Sequence, residues 1–180
     1  MLAQGRGPMQ ASAQASILLA IMRLLLPLSL IAMTCALADE VPGFVEWKAA
    51  QFNEAADRLE KKIGKEKMIF ETIGNWKGHS VYLVLRGATS PPEFHETEKD
   101  VYIIQRGKAT FVIGGELVDE EKRPRKQRRG SSIRGGIKRE LAPGDIIHIP
   151  EMTPHQLLIN PGEPFMYILI HFDEEPLLKK

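Results

Sequence analysis

Residues 144–155 of this chain read GDIIHIPEMTPH. They contain a short isoleucine-rich run, residues 146–149, between two turn signals. Pro143 and Gly144 favour a tight turn before it, because proline fixes φ and glycine tolerates a positive φ. Three isoleucines among residues 146–149 supply the β-branched side chains that strands favour. The stretch therefore predicts a strand of a β-rich domain, followed by a turn that ends at His155.

The same pattern of short β-rich runs and turns continues from residue 67 onward. Six further runs are rich in β-branched and aromatic residues, and glycine-containing turn signals separate them. These runs are Met68–Ile73, Ser80–Arg86, Val101–Gln105, Ala109–Ile113, Gln156–Ile159 and Phe165–Phe172. Many short strands at this spacing predict an all-β sandwich or closed barrel over residues 67–175.

Residues 39–66 have a different pattern. Apolar side chains between Val45 and Ile63 recur at helical spacing, and charged side chains occupy the other face. Gly64 follows as a helix stop signal. The segment predicts one N-terminal α-helix that packs on the barrel or covers one of its ends.

Residues 1–38 have the features of a targeting segment. Arg23 precedes an apolar run, and residues 36–38 read ALA, which suits a signal peptidase. We expect a signal peptide here, with Met22 as an alternative start, and a secreted or periplasmic mature protein. The only cysteine, Cys35, lies inside the segment, so the mature domain would have no disulfide. Lipid attachment at Cys35 is the alternative.

Composition restricts the other partners. The chain has 180 residues, 43% of them hydrophobic, and a formal net charge of +1, which suits one domain without a strongly charged partner. No later run is apolar and long enough to span a membrane, so we expect no membrane contact after signal cleavage.

Nine basic residues lie between Lys122 and Arg139 and could attract a polyanion. No aromatic residue is interleaved to stack on bases, and the proline and glycines favour a solvated loop. We expect no nucleic-acid partner, and a docking surface for another protein is the remaining alternative.

A second segment, residues 92–107, reads PEFHETEKDVYIIQRG. Together with residues 144–155 it resembles the two sequence motifs of the cupin superfamily. In the first motif His95 falls at the second histidine and Gly107 at the closing glycine. Glu93 stands where the family has its first histidine, and Asp100 stands where it has a glutamate.

The second motif is matched more closely. Gly144, Pro150 and His155 fall in register, Met152 replaces an inner glycine, and Asn160 comes one residue late. The resemblance implies a cupin, or double-stranded β-helix (jelly-roll), barrel. It also implies a possible homodimer.

Carried over position by position, the resemblance implies four metal ligands, namely Glu93, His95, Asp100 and His155. Alternation along a strand independently places Glu93 and His95 on one face. Two imidazoles and a carboxylate form a facial triad that holds a divalent metal, here Fe, Mn, Zn or Ni. Only two of the three family histidines are present, and Asp100 is one methylene shorter than the family glutamate.

Tyr102 should share the face of Asp100, which makes it a candidate catalytic acid or hydrogen-bond donor to a substrate. Its alternative role is to fill the barrel. His79, His148 and His171 have no evident companion, so we expect them to be structural or exposed.

Two functions follow from these expectations. One is a metal-dependent enzyme that acts on a small molecule, of oxygenase, isomerase or lyase type. The other is a metal-free pocket for a sugar or phenolic ligand, with Phe94, Ile104 and Leu157 as apolar walls.

Overall fold

The computed structural model describes residues 41–173. The predicted signal peptide, residues 1–38 with Cys35, lies outside the described residues and stays a prediction. Among residues 41–173, no helix combines the length and apolar character that crossing a membrane requires. The helix and strands below all belong to the compact unit that begins at Trp47.

One helix and thirteen strands make up the described part of the chain. The helix α1 spans Ala49–Ile63. The strands are β1 Met68–Trp76, β2 His79–Arg86, β3 Glu93–His95, β4 Glu98–Arg106, β5 Ala109–Ile113, β6 Glu116–Val118, β7 Glu121–Arg123, β8 Gln127–Arg129, β9 Ser132–Arg134, β10 Ile137–Leu141, β11 Ile146–Ile149, β12 His155–Leu158 and β13 Phe165–Asp173.

Two antiparallel sheets form the barrel. The five-stranded sheet has the order β1-β2-β13-β4-β11, and the six-stranded sheet has the order β10-β5-β12-β3-β8-β7. Their inward side chains form one apolar core, because alternate residues of each strand point to the same face. The core consists of Val84, Tyr102, Ile104, Ala109, Phe111, Leu141, Ile149, Leu157, Ile159, Phe165 and Tyr167.

The helix packs against strands of the five-stranded sheet. Its residues Ala56 and Leu59 form a second apolar cluster with Leu83 and Leu85 of β2. Val84, between those two leucines, belongs instead to the barrel core. Both faces of β2 are therefore covered, one by the helix and the other by the barrel core.

Sheet register brings distant residues together at one end of the barrel. On the six-stranded sheet, His155 is the direct partner of Glu93, and Glu93 is in turn the partner of Arg129. On the five-stranded sheet, His171 is the direct partner of Asp100. These pairings supply most of the candidate site.

The basic stretch that we predicted to be a loop contains the short strands β7, β8 and β9 and the start of β10. Strand β8 pairs with β3 and so extends the six-stranded sheet. Arg128 of β8 lies over the ring of Phe94, 4.8 Å from its centroid, which anchors the added strand.

Candidate metal centre

Three predicted ligands converge between β3 and β12. Oε2 of Glu93 lies 3.8 Å from Nε2 of His95 and 3.8 Å from Nε2 of His155. The three residues each offer a donor atom, and these atoms all lie within 4.8 Å of one another. Tetrahedral ligands at about 2.1 Å from a zinc ion would lie about 3.4 Å apart. Small side-chain shifts would therefore bring the three donors around one ion.

His155 presents an unprotonated nitrogen to this cluster. Its Nδ1 lies 3.0 Å from the carbonyl oxygen of Thr153, which can only accept, so Nδ1 carries the proton. Its Nε2 is buried and has no hydrogen-bond partner. Burial lowers the pKa of His155, which keeps the ring neutral. This is the tautomer that a metal-binding histidine adopts.

His95 is held by a carboxylate on its other side. Its Nδ1 lies 2.9 Å from Oε2 of Glu98 in a bent ion-pair contact, and Nε2 faces Glu93. Burial opposes the charged form, but Glu93 and Glu98 raise the pKa of His95 to about 9. A cation at Nε2 would therefore displace a proton.

Asp100 stands beside the three converging donors. Its Oδ1 lies 2.6 Å from Nδ1 of His171, and its Oδ2 is 4.0 Å from Nε2 of His95. One carboxylate oxygen is thus engaged by His171, and the other faces the candidate centre. Asp100 is placed to be a fourth ligand, although it is not part of the most compact set.

His171 is a site residue that sequence reasoning missed. We expected it to be structural or exposed, but it contacts Asp100, and its Nε2 is 3.5 Å from Oε2 of Glu98. The signal was the alternation along β13, which puts Tyr167, Leu169 and His171 on the cavity side. Against the effect of burial, the carboxylates of Asp100 and Glu98 raise the pKa of His171 to about 9.

A second acidic cluster joins Glu98, His171 and Asp173. Arg125, in the turn between β7 and β8, forms an ion pair with Asp173 and lies 3.4 Å from Oε1 of Glu98. Gln127 also donates a hydrogen bond of 2.9 Å to Glu98. Arg125 thus balances the charge of these carboxylates, and Gln127 adds a hydrogen bond.

Glu93 lies between imidazoles and guanidinium groups. Its Oε1 is 3.5 Å from Nη2 of Arg129 and 3.9 Å from Nη2 of Arg86, while Oε2 faces the two imidazoles. Burial would raise its pKa, but the contacts with His95, Arg129, His155 and Arg86 lower it to about 2. Glu93 is therefore an anion at physiological pH.

The candidate centre opens into a cavity of about 640 Å³. Side chains from β1, β2 and β13 form its apolar wall, namely Met68, Phe70, Tyr82 and Leu169. The prediction that Phe94, Ile104 and Leu157 form the apolar wall is wrong. Ile104 and Leu157 lie in the barrel core, and Phe94 packs under Arg128.

Tyr102 lines the same cavity, on the face of β4 that also carries Asp100. Its ring stacks on that of Tyr167 with centroids 4.4 Å apart. Burial raises the pKa of Tyr102 well above its ordinary value, so its hydroxyl stays protonated and can donate a hydrogen bond. Both predicted roles, filling the barrel and facing a substrate, are compatible with this position.

The remaining histidines stand apart from the candidate centre. His79 stacks on Trp76, with ring centroids 5.0 Å apart, and borders the cavity. His148 is exposed on β11. Neither belongs to a metal-ligating group among the described residues.

Four arginines of the basic stretch are paired with acids. Arg128 contacts Glu96 and Glu120, and Arg129 contacts Glu93. Arg125 lines the cavity, and Arg129 lies 3.5 Å from the carboxylate of Glu93. Their charge is directed to the chain's own carboxylates.

No protein-family model matches this chain, and no curated protein matches it. Solved structures do match. The DMSP lyase DddQ from Ruegeria pomeroyi DSS-3 is 16% identical with a TM-score of 0.50, over 77% of this chain and 71% of that one. KdgF from Halomonas sp. is 17% identical with a TM-score of 0.45, over 61% and 83%.

The cupin domain of Cnp3 from Schizosaccharomyces pombe is 10% identical with a TM-score of 0.46, over 61% and 63%. At such identities the likeness concerns the fold alone. The predicted all-β jelly-roll barrel with one N-terminal helix is confirmed.

Proposed function

We propose that this chain, whose fold is that of the cupin superfamily, binds a divalent metal through Glu93, His95 and His155 and acts on a small molecule in the adjoining cavity. One observation carries the proposal. Nε2 of His155 is buried without a hydrogen-bond partner and faces the Glu93 carboxylate at 3.8 Å. An unprotonated nitrogen in that setting favours a cation, because an unsatisfied buried polar atom is costly.

The donor set indicates which ions would fit. Two imidazole nitrogens and one carboxylate suit Fe, Mn, Zn or Ni. Asp100 would add a second oxygen from its Oδ2. A bound ion would act as a Lewis acid toward a substrate oxygen.

The chain's own groups would do the remaining work. Glu93 supplies negative charge at any physiological pH, and Tyr102 offers a protonated hydroxyl on the same cavity wall. The apolar wall formed by Met68, Phe70, Tyr82 and Leu169 would exclude water from one side of a small substrate. These features serve oxygenase, isomerase and lyase chemistry alike.

Thermal unfolding tests the proposal. The purified chain is stripped with EDTA and then supplied separately with iron(II), manganese, zinc and nickel. We expect at least one ion to raise Tm, and His155→Gln to abolish that rise. His148→Gln is the matched control, because His148 is exposed and outside the cluster. Failure of all four ions to raise Tm, or an undiminished rise in His155→Gln, would reject the metal centre.

A metal-free binding pocket is the second candidate function. It is favoured by the contacts of Glu93 with Arg129 and Arg86, whose guanidinium groups balance its charge without a metal ion. In that case a sugar or phenolic ligand would lie against Phe70 and Tyr82, whose rings meet edge to face. A ligand that raises Tm of the EDTA-treated chain, together with no response to metals, would support this candidate.

We also propose that the protein is exported and is secreted or periplasmic. The support is the sequence of residues 22–38, which ends in ALA. The test is the N-terminus of protein recovered outside the producing cell's cytoplasm. A mature chain that starts at Asp39 is expected, and retention of residues 22–38 would contradict export.

A homodimer is a further proposal. Strand β1 is an edge of the five-stranded sheet, and Phe70 on this strand is 54% exposed. Uncovered strand edges favour pairing with another chain. Light scattering should give twice the monomer mass, and Phe70→Glu should shift it toward the monomer. A monomeric unmodified chain would contradict the proposal.

A further inference from the structure

Arg86 is a buried cation whose terminal nitrogens make no hydrogen bond to the described residues. It ends β2, is 9% exposed and lines the cavity. Its Nε donates a hydrogen bond of 3.1 Å to the hydroxyl of Tyr167. Among residues 41–173, its closest acid contact is Nη2 to Oε1 of Glu93 at 3.9 Å, too long for a hydrogen bond.

Two hydroxyls extend this group of donors. The oxygen of Tyr167 accepts from Arg86, so its own hydrogen is available to another acceptor. Tyr102, stacked on Tyr167, has its hydroxyl on the same cavity wall and has no hydrogen bond to a described residue. Arg86, Tyr167 and Tyr102 thus present hydrogen-bond donors that have no acceptor in the described part of the chain.

The other charges around the cavity are more nearly balanced. Arg125 is paired with Asp173, and His171 is paired with Asp100. Glu93 is closer to Arg129 than to Arg86. The Arg86 guanidinium differs from these groups. Among the described residues, the nearest acidic oxygen to its terminal nitrogens lies 3.9 Å away. Because Arg86 lines the cavity, these donors can reach a ligand of opposite sign.

We propose that Arg86, Tyr167 and Tyr102 form a subsite for the carboxylate of a small organic acid. A guanidinium fork matches a carboxylate in two parallel hydrogen bonds. A singly charged acid suits the site better than a phosphate, because Glu93, Glu98, Asp100 and Asp173 also surround the cavity and repel a second negative charge. The rest of the acid would lie on Phe70, Tyr82 and Leu169.

This inference deepens the proposed function, because the subsite adjoins the candidate metal centre through Glu93. It names the substrate class as a carboxylic acid with an apolar body. It does not require the metal, since its donors come from side chains that are outside the ligand set. The two proposals can therefore fail independently.

Calorimetry with matched probes tests the subsite. Benzoate and its neutral isostere benzamide are titrated into the EDTA-treated chain. We expect benzoate to bind at least tenfold more tightly. Equal affinity for the two probes, or tighter binding of inorganic phosphate than of benzoate, would overturn the carboxylate assignment.

Variants then test whether Arg86 supplies the positive charge that binds benzoate. Arg86→Gln should weaken benzoate at least tenfold and leave benzamide unchanged. Arg139→Gln is the control, because Arg139 is exposed and, among residues 41–173, its guanidinium bonds only the carbonyl of Lys138. If Arg86→Gln does not fold, Tyr167→Phe keeps the guanidinium and should weaken benzoate severalfold. Undiminished benzoate affinity in the folded variant would reject the subsite.

Metal dependence separates this inference from the metal centre. If the chain binds no metal but still binds benzoate through Arg86, the subsite is supported and the metal centre is rejected. Benzoate binding that requires a metal and is unchanged in Arg86→Gln would place the carboxylate elsewhere and reject the subsite.

Discussion

His171 and Asp100 face each other across β13 and β4, with Nδ1 of the imidazole 2.6 Å from Oδ1 of the carboxylate. The contact leaves Oδ2 of Asp100 directed toward His95. The imidazolium also lies 3.5 Å from Glu98. One residue of β13 therefore balances two buried acids and orients a candidate ligand.

Replacing His171 should destabilise the chain in a pH-dependent way. His171→Gln removes the cation nearest to Asp100 and one of the cations around Glu98, which costs about 3 kcal/mol near neutral pH. The folded pKa of about 9 is above the ordinary value, so this stabilisation is complete below about pH 6.5 and is lost as pH rises through 9. Urea unfolding in EDTA at pH 6 to 10 measures it.

The control for this series is His148→Gln, because His148 is exposed on β11. Its free energy of unfolding should match that of the unmodified chain at each pH. A constant gap between His171→Gln and the unmodified chain up to pH 10 would show that His171 contributes packing and not charge.

Glu98 should act as a positioning residue for His95. Its carboxylate contacts Nδ1 of His95 at 2.9 Å and is almost wholly buried. Removing such a carboxylate behind a metal-binding histidine typically lowers metal affinity by about 10 to 100-fold. Competition with a chromophoric chelator should show that loss in Glu98→Gln. Glu120→Gln, which alters an exposed partner of Arg128, should bind metal like the unmodified chain; equal loss in both would remove the positioning role.

Gly107, the closing glycine of the first motif, should be far less replaceable than Gly162. Both have positive φ, +77° and +80°. A Cβ at Gly107 would lie 2.3 Å from the carbonyl oxygen of Pro164, whereas none of the atoms around Gly162 lies within 4 Å. We expect Gly107→Ala to cost about 3 kcal/mol and Gly162→Ala about 1 kcal/mol in urea unfolding. Similar costs would show that backbone conformation alone matters.

The basic stretch should bind polyanions weakly. Arg125, Arg128 and Arg129 are engaged by the chain's own acids, so few counterions would be released on contact with a polyanion. We expect the chain to leave a heparin column at or below physiological ionic strength. Retention well above it, lost on replacing Lys122 and Lys138 with glutamine, would favour the polyanion attraction that the basic residues first suggested.

Local signals explain what the sequence could predict. The run Ala109–Ile113 matches β5, and the run Phe165–Phe172 differs from β13 by one residue, because flanking glycines and prolines mark their ends. Strands β6 to β9 have three residues each and, like β10, were not predicted. Such short segments become strands only through partners elsewhere in the chain, as β8 does against β3.

The residues of the site also divide into those that the sequence motifs predicted and those that only long-range pairing brings in. The motifs placed Glu93, His95, Asp100 and His155 together, and the structure brings them to one end of the barrel. His171 could not be paired with Asp100 from sequence, since 71 residues separate them and only the β4–β13 register joins them. The ion pairs of the basic stretch with the site acids depend on the same long-range pairing.

Metal stoichiometry is the most direct test of the central claim. The chain is purified natively without chelator, and metal is measured by plasma mass spectrometry against protein concentration. We predict close to one divalent ion per chain in the unmodified protein and less than a tenth of that in a Glu93→Gln, His155→Gln double variant that unfolds cooperatively. An unmodified chain free of metal, which also takes none up after dialysis against iron(II), manganese, zinc or nickel, would contradict the claim.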